Sequence, residues 1–335
     1  MNNQGAFLIF IGMGWKKYIQ IILLLICFNG TALGQIQTDS IHLQKTYILH
    51  NNKSIYLPLG NMAFADSVVS YVPGIPAPLP LYTHPERALG EPDYDYYKDD
   101  SYVSLGCKGQ LTLQFISNGF IDIEGDDLYF FEIGPSVESF TVEISSDGED
   151  WIYIGTLPGS TCSIDIGKSQ RVRTENKVYY YVRITDLGDF CRGPTPGADI
   201  DAVGAIGGVL KFNLSASVLF DSDKFNIKPE AKETLAKVAD ILKLMPYAFV
   251  QIDGHTDSDA SAAYNDVLGY NRAQSVMDYL NDMANNTSNP LYIGMEVRSF
   301  GKTKPISDND TEEGKQRNRR VELMIMPPKT FYEKP

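Results

Sequence analysis

Two domains in series are predicted: an antiparallel β-sandwich over residues 35–208 and an α/β layer fold over 209–328, with a short tail at 329–335. Three observations carry this. Up to Gly208 apolar and polar residues alternate in short runs, the period of strands with one buried face. Beyond it two long stretches take up a helical period. The charge changes at the same place: 24 Asp and Glu stand against 11 Lys and Arg in 35–208, but 18 against 16 in 209–335.

At 335 residues, 43% hydrophobic and 21% charged, the composition is globular and excludes wholesale disorder, collagen and a polytopic membrane protein. Residues 1–34 read as a signal peptide, with the basic pair Lys16-Lys17, the apolar core "IILLLICF" and small residues ending "TALG" before an expected cleavage at Gln35. The apolar run from Tyr18 to Phe28 has 11 residues, short of the roughly 20 that a spanning helix wants. Cys27 follows Ile26 instead of a small residue, so the lipoprotein signal pattern fails. A soluble export product is therefore expected. No basic stripe exists to neutralise phosphates, and nucleic acid is not an expected partner.

The strands of the first half are expected at "QLTLQF" (110–115), "DLYFFEI" (127–133), "SFTVEIS" (139–145), "WIYIGT" (151–156), "VYYYVRIT" (178–185) and "DIDAVGAI" (199–206). Aromatic and β-branched residues fill them and turns such as Asp147-Gly148 separate them. Cys107, Cys162 and Cys191 permit three pairings, none in a C-x-x-C spacing, and sequence does not choose among them. Acids concentrate at Asp126 and Asp127, beside Asp122 and Glu124, and again at Asp199 and Asp201, two apart on one strand face. Two readings stand for them: solvated loop acids, or a calcium site in which both clusters converge with backbone carbonyls to supply six to eight oxygens.

The segment "SSDGEDWIYIGT", with "FADSVVSYVPG", "ALGEPD" and "GADIDAVGAI", resembles discoidin-type, galactose-binding-like jelly rolls. That resemblance implies an extracytoplasmic module of a kind that often binds glycans or carries a structural calcium. Tyr94, Tyr96 and Tyr97 in "EPDYDYYKDD" would supply an aromatic platform for a glycan or surface ligand, against the plainer reading of edge packing.

After a hinge expected at Gly207-Gly208, "LSASVLF" (214–220) reads as a strand. Pro229 opens a helix with Leu235, Val238 and Leu242 on one face, stopped by Pro246. "YAFVQIDG" (247–254) is the next strand, and a second helix runs over about 262–284 with Leu268, Val276 and Leu280 in a stripe. Strands "MEVRSF" (295–300) and "RRVELMIM" (319–326) complete a βαβαββ order, with both helices on one face of a small sheet.

The blocks "VLFDSDKFNIKPEA", "IDGHTD", "YNDVLGYNRAQSVMDYL", "SFGKTKPI" and "QRNRRVE", in this order from 218 to 322, resemble the OmpA-like C-terminal domain. The resemblance implies non-covalent binding of peptidoglycan through the diaminopimelate of its stem peptide, with outer-membrane proteins as candidate partners and, together with the leader, the periplasm or outer membrane of a Gram-negative bacterium as the expected location. Such a ligand ends in an α-amino acid group, whose receptor needs an anion for the ammonium and a planar cation for the carboxylate. Asp257 and Arg272 fit those needs, unless the two merely pair with each other. On the family's pattern Asn265 orients the loop or caps the helix, Thr256 takes a further motif position, and Arg320 is a pocket candidate behind Arg272, against the plainer reading of Asn318, Arg319 and Arg320 as a solvated strand start. The family usually has Gly three residues after the Asp, where this chain has Ala260.

An enzyme is not expected: no G-x-S-x-G elbow, H-E-x-x-H helix or Walker loop occurs, and His255, Asp257 and Asp259 on one strand-to-loop edge do not make a zinc site. The alternatives kept open are an envelope glycan hydrolase, or a surface adhesin whose activity lies in the acidic sandwich.

Overall fold

The computed structural model describes residues 41–49, 53–95, 100–133, 137–285 and 293–334. The expected leader at 1–34, and Tyr96 and Tyr97 of the expected platform, lie outside the described residues.

The first half contains β1 (Lys45–Ile48), β2 (Ser54–Leu57), β3 (Ser67–Val72), β4 (Val103–Ser104), β5 (Gln110–Gln114), β6 (Asn118–Phe120), β7 (Leu128–Ile133), β8 (Phe140–Ser145), β9 (Trp151–Leu157), β10 (Cys162–Ile164), a short helix α1 (Gln170–Glu175), β11 (Tyr181–Asp186) and β12 (Asp199–Ala205). Strands β10-β7-β12-β4 form one antiparallel sheet and β3-β5-β11-β8-β9 another. Their inward side chains share one core. The alternation read from the sequence fills it: Leu111, Leu113, Val142, Ile144, Val182 and Ile184 are completely buried, each worth about 1.5–3 kcal/mol of apolar transfer. On the outer face Arg183 pairs with Glu143 at 3.2 Å and its guanidinium lies 3.6 Å from the centre of the Trp151 ring.

Cys107 and Cys191 are disulfide-bonded, Cα atoms 5.1 Å apart, closing a sequence separation of 84 residues between the loops before β5 and β12. Cys162 stays a thiol, half-buried on β10, and burial pushes it up to about 12.

The second half contains β13 (Gly208–Ser215), α2 (Ala216–Leu219), α3 (Ala231–Lys243), β14 (Phe249–His255), α4 (Ala262–Asn285), β15 (Gly294–Gly301), α5 (Glu312–Asn318) and β16 (Arg320–Met326). Its sheet runs β15-β14-β16-β13-β6, parallel only between β14 and β15. Leu235, Val238 and Leu242 of α3 are buried as their spacing predicts. The strand expected at 214–220 lies earlier, at 208–215, and the next four residues make a helical turn. Helix α5 was not expected; Thr311 caps it, its hydroxyl accepting the Gly314 N–H, and Glu312 and Glu313 follow in its first turn.

The edge strand β6 comes from the first half, so the two halves share a sheet. The expected hinge is therefore not one. The Gly207 N–H donates to the Asp127 carbonyl, and Gly208 pairs with Phe120. A Cβ at Gly208 would lie 2.6 Å from a Leu59 methyl, so glycine here serves close packing instead of freedom. The expected tail is packed too. Phe331 is buried, its carbonyl accepts from the Tyr56 hydroxyl at 3.3 Å, and the Tyr332 hydroxyl donates to the Gly208 carbonyl at 3.0 Å.

The four acids raised as calcium ligands do not converge. Asp199 pairs with Ile133 at one end of β7 and β12, whereas Asp127 precedes Leu128 at the other, a separation of roughly 17–20 Å along the strands. Asp127 is buried and its carboxylate accepts the Ile123 and Ile166 N–H groups, both at 2.8 Å. Asp126 is exposed and takes the Ser163 hydroxyl. Asp201 is buried at a bulge and accepts the Tyr94 N–H at 3.2 Å. Tyr94 itself stands edge-on to Tyr102, ring centres 6.0 Å apart, in a small cluster with Tyr82 and Ile133. Among the described residues the one group of three carboxylates with ligand oxygens within 4.8 Å of each other is Asp122, Asp127 and Asp165. Each Asp127 oxygen there already accepts one backbone N–H, and calcium would need oxygens beyond these three side chains to reach six to eight separate ligands.

Burial pushes Asp127 up to about 7 and Asp199 to about 8; burial also raises Glu132, helped by the adjoining Glu138, and raises Glu138, helped by the charge of Asp186 although its bond with Glu132 pulls the other way. A carboxyl raised in the folded chain holds its proton more tightly there, so its stabilisation is complete below its unfolded value near 4 and is lost as the pH rises through the folded value. The melting temperature is expected to fall by roughly 3–5 °C between pH 6.5 and 8.5, and Asp199→Asn is expected to flatten that limb; scanning calorimetry at the two pH values reads both. Replacing Cys107 and Cys191 by Ala is expected to lower unfolding free energy by about 2–5 kcal/mol, while Cys162→Ala changes it far less; urea titration of the two variants makes the comparison.

Candidate functional site

Parallel strands β14 and β15 need a crossover, and α4 supplies it. The chain leaves β14 at His255, passes Thr256 and Asp257, and re-enters helix at Ala262, where Ser261 accepts the Tyr264 N–H. A Cβ at Gly254 would lie 2.0 Å from the Gly269 carbonyl oxygen, so these two glycines let helix and strand approach closely. Asn265, Leu268 and Arg272 fall at i, i+3 and i+7 of α4, one face. That face turns toward the end of β14.

There a cavity of about 480 Å³ opens, and Thr256, Asp257, Asn265, Leu268, Arg272 and Arg319 are among the residues lining it. The 221–228 segment closes another side with Asp221, Asp223 and Lys228. Asp223 has a left-handed backbone, φ 54°, a conformation that Asp tolerates better than most residues.

Asp257 and Arg272 thus meet in one pocket without bonding to each other. Asp257 Oδ2 accepts from Arg319 Nη1 at 2.7 Å, and its Oδ1 accepts the Asp259 N–H at 3.2 Å. Arg272 is 4% exposed. Its Nε donates to the Lys224 carbonyl at 3.1 Å and its guanidinium carbon lies 5.5 Å from the Phe220 ring centre. Its two terminal nitrogens have no partner among the described residues. Burial pulls the Arg272 guanidinium below its ordinary range, and the charges of Asp223 and Asp257 act against that pull. Arg319 stays above its ordinary range: burial lowers it, but its bonds from Asp257 and Glu312 outweigh the burial.

Asn265 holds the loop, its amide donating to the Asp257 carbonyl at 3.1 Å and the Ala260 carbonyl at 3.3 Å. Thr256 is buried, and its N–H donates to the Gly301 carbonyl. Ala260 is absent from the positions of positive φ, so the loop asks for no glycine there. Arg320 lies outside the pocket. It is buried on the opposite face of the sheet, donating to Glu322 at 2.6 Å and to the Asn318 and Lys304 carbonyls. His255 also faces that side, stacked on Phe300 with ring centres 5.4 Å apart, and burial holds it down at about 4. Among the pocket residues that sequence reasoning missed are Asp221, Asp223, Lys228 and Arg319. The signal for Arg319 was its place beside Arg320, since neighbours at the start of a strand point to opposite faces.

Residues 219–319 match the OmpA family. The outer-membrane lipoprotein YfiB of Pseudomonas aeruginosa is 33% identical over 115 residues, 34% of this chain and 66% of that protein. Outer membrane protein A of Bordetella avium is 38% identical over 116 residues, 35% of this chain and 57% of the relative. Among solved structures, the peptidoglycan-associated lipoprotein from Burkholderia pseudomallei is 28% identical, with 34% of this chain and 88% of that one covered and a TM-score of 0.29. The chain thus spans less than two thirds of the length of these two curated relatives. Relatives of this kind indicate a location in the envelope of a Gram-negative bacterium. Among the described residues no helix is long and apolar enough to cross a membrane. Residues 219–319 are an OmpA family domain.

Proposed function

We propose that the pocket binds peptidoglycan non-covalently, through the zwitterionic end of a diaminopimelate stem residue, and that this holds the first half of the chain at the cell envelope. The observation that carries the reading is Arg272: a buried guanidinium, in the wall of the same cavity as Asp257, with no partner among the described residues for its two terminal nitrogens. A carboxylate completes that fork with two parallel charge-assisted bonds. The ligand ammonium goes to Asp257, whose oxygens each have a second acceptor position. The match of residues 219–319 to the OmpA family supports the same ligand.

Two such contacts at roughly 1.5–3 kcal/mol each correspond to millimolar to tens-of-micromolar affinity. A polymer presenting many copies retains the protein by rebinding. In this proposal residues 209–328 are the wall-binding module. The first half, a jelly roll by its resemblance, presents a recognition surface for a glycan or an envelope partner, and outer-membrane proteins are candidates.

The full chain is expected to co-sediment with purified diaminopimelate-type sacculi, and Arg272→Ala or Asp257→Asn to weaken this roughly 10- to 100-fold. Unchanged sedimentation of both variants contradicts the assigned pocket. Zymography on the same sacculi is expected to show no clearing; clearing would mark a hydrolase instead of a binder.

A further inference from the structure

Arg319 is the last residue before β16 and caps the C-terminus of α5. Besides its 2.7 Å bond to Asp257, its second terminal nitrogen is bonded to Glu312. One turn earlier on α5, Lys315 Nζ lies 2.6 Å from Asp259 Oδ1. Helix α5 is thus fastened by two ion pairs to the loop that carries Asp257. Arg319 lines the cavity together with Arg272, so the acid meant for a ligand ammonium is flanked by two guanidiniums.

We propose that Arg319 is a positioning and specificity-determining residue of this pocket, fixing the Asp257 carboxylate and making the site prefer a zwitterionic amino acid end over a lone amine. This rests on the reading of the pocket given above. A ligand that brings only an ammonium meets, beside Asp257 and the wall acids Asp221 and Asp223, two fixed guanidiniums, and leaves the buried Arg272 fork unpaired. A ligand that brings a carboxylate with its ammonium pairs the fork and offsets the repulsion. Without Arg319 the carboxylate of Asp257 loses its anchor, and the penalty on a lone amine shrinks. Affinity for the zwitterion therefore falls while discrimination narrows.

Calorimetry with the full chain tests this, using a soluble diaminopimelate-containing muropeptide and its lysine-containing counterpart as probes. Arg319→Ala is expected to weaken the first probe roughly fivefold and to bring the two affinities closer, with Arg319→Lys restoring most of the affinity and the preference. A melting curve run alongside separates a folding defect from a site defect, because the Lys variant rescues binding only if the charge at this position acts on the ligand. Wild-type affinity and preference in Arg319→Ala overturn the proposal. If Arg272→Ala loses the first probe while Arg319→Ala keeps it, only the role of Arg319 fails. If wild type and Arg272→Ala bind the first probe alike, or neither binds it, the pocket reading fails and this proposal with it.

Discussion

A guanidinium that is almost wholly buried and only one-third bonded is the constraint around which the site of this protein is built. Removing a cation from water costs several kcal/mol unless partners compensate, and among the described residues Arg272 has one carbonyl, the face of Phe220, and the nearby charges of Asp223 and Asp257. These keep it charged without occupying its fork. The left-handed turn at Asp223, the Asn265 bonds to two loop carbonyls and the close approach of Gly254 to Gly269 all keep that arrangement in place. Each of these features is local, and together they form a pocket that is incomplete in charge.

Much of the architecture was legible in the sequence because it is carried by periodicity. Strands at 110–114, 140–145 and 151–157, and the long helix at 262–285, lie close to where alternation or helical spacing placed them. The pairing of Asp257 and Arg272 in one cavity follows from the same logic, since a strand end and the first half of the next helix are neighbours in any parallel crossover. What escaped was set by contacts distant in sequence. Nothing in "SNGF" tells that Asn118–Phe120 completes a sheet whose next strand begins at Gly208. Asp127 and Asp199 look alike as acids near strand ends, and only the antiparallel register shows that they stand at opposite ends. Arg319 and Arg320 are adjacent and chemically identical; the direction of the first side chain after α5 decides which one faces the pocket.

The two halves are joined more closely than a bead-on-string organisation implies. One apolar core takes in Tyr47, Leu57, Leu59 and Phe64 from the first half and Leu210, Phe212, Val250 and Phe331 from the second. Lys211 lies over the Tyr180 ring at 4.7 Å, and Lys329 pairs with Glu124 at 2.7 Å, so polar contacts rim the same seam. The change in composition near residue 208 marks a change of secondary structure, while the packing runs across it.

The β6 to β13 pairing has a mechanical consequence. A load applied at the pocket travels through backbone hydrogen bonds and a common apolar seam into the two-sheet half, with no slack tether in between. If the pocket holds a ligand as proposed, the shared sheet fixes the height and angle at which the two-sheet half stands above it.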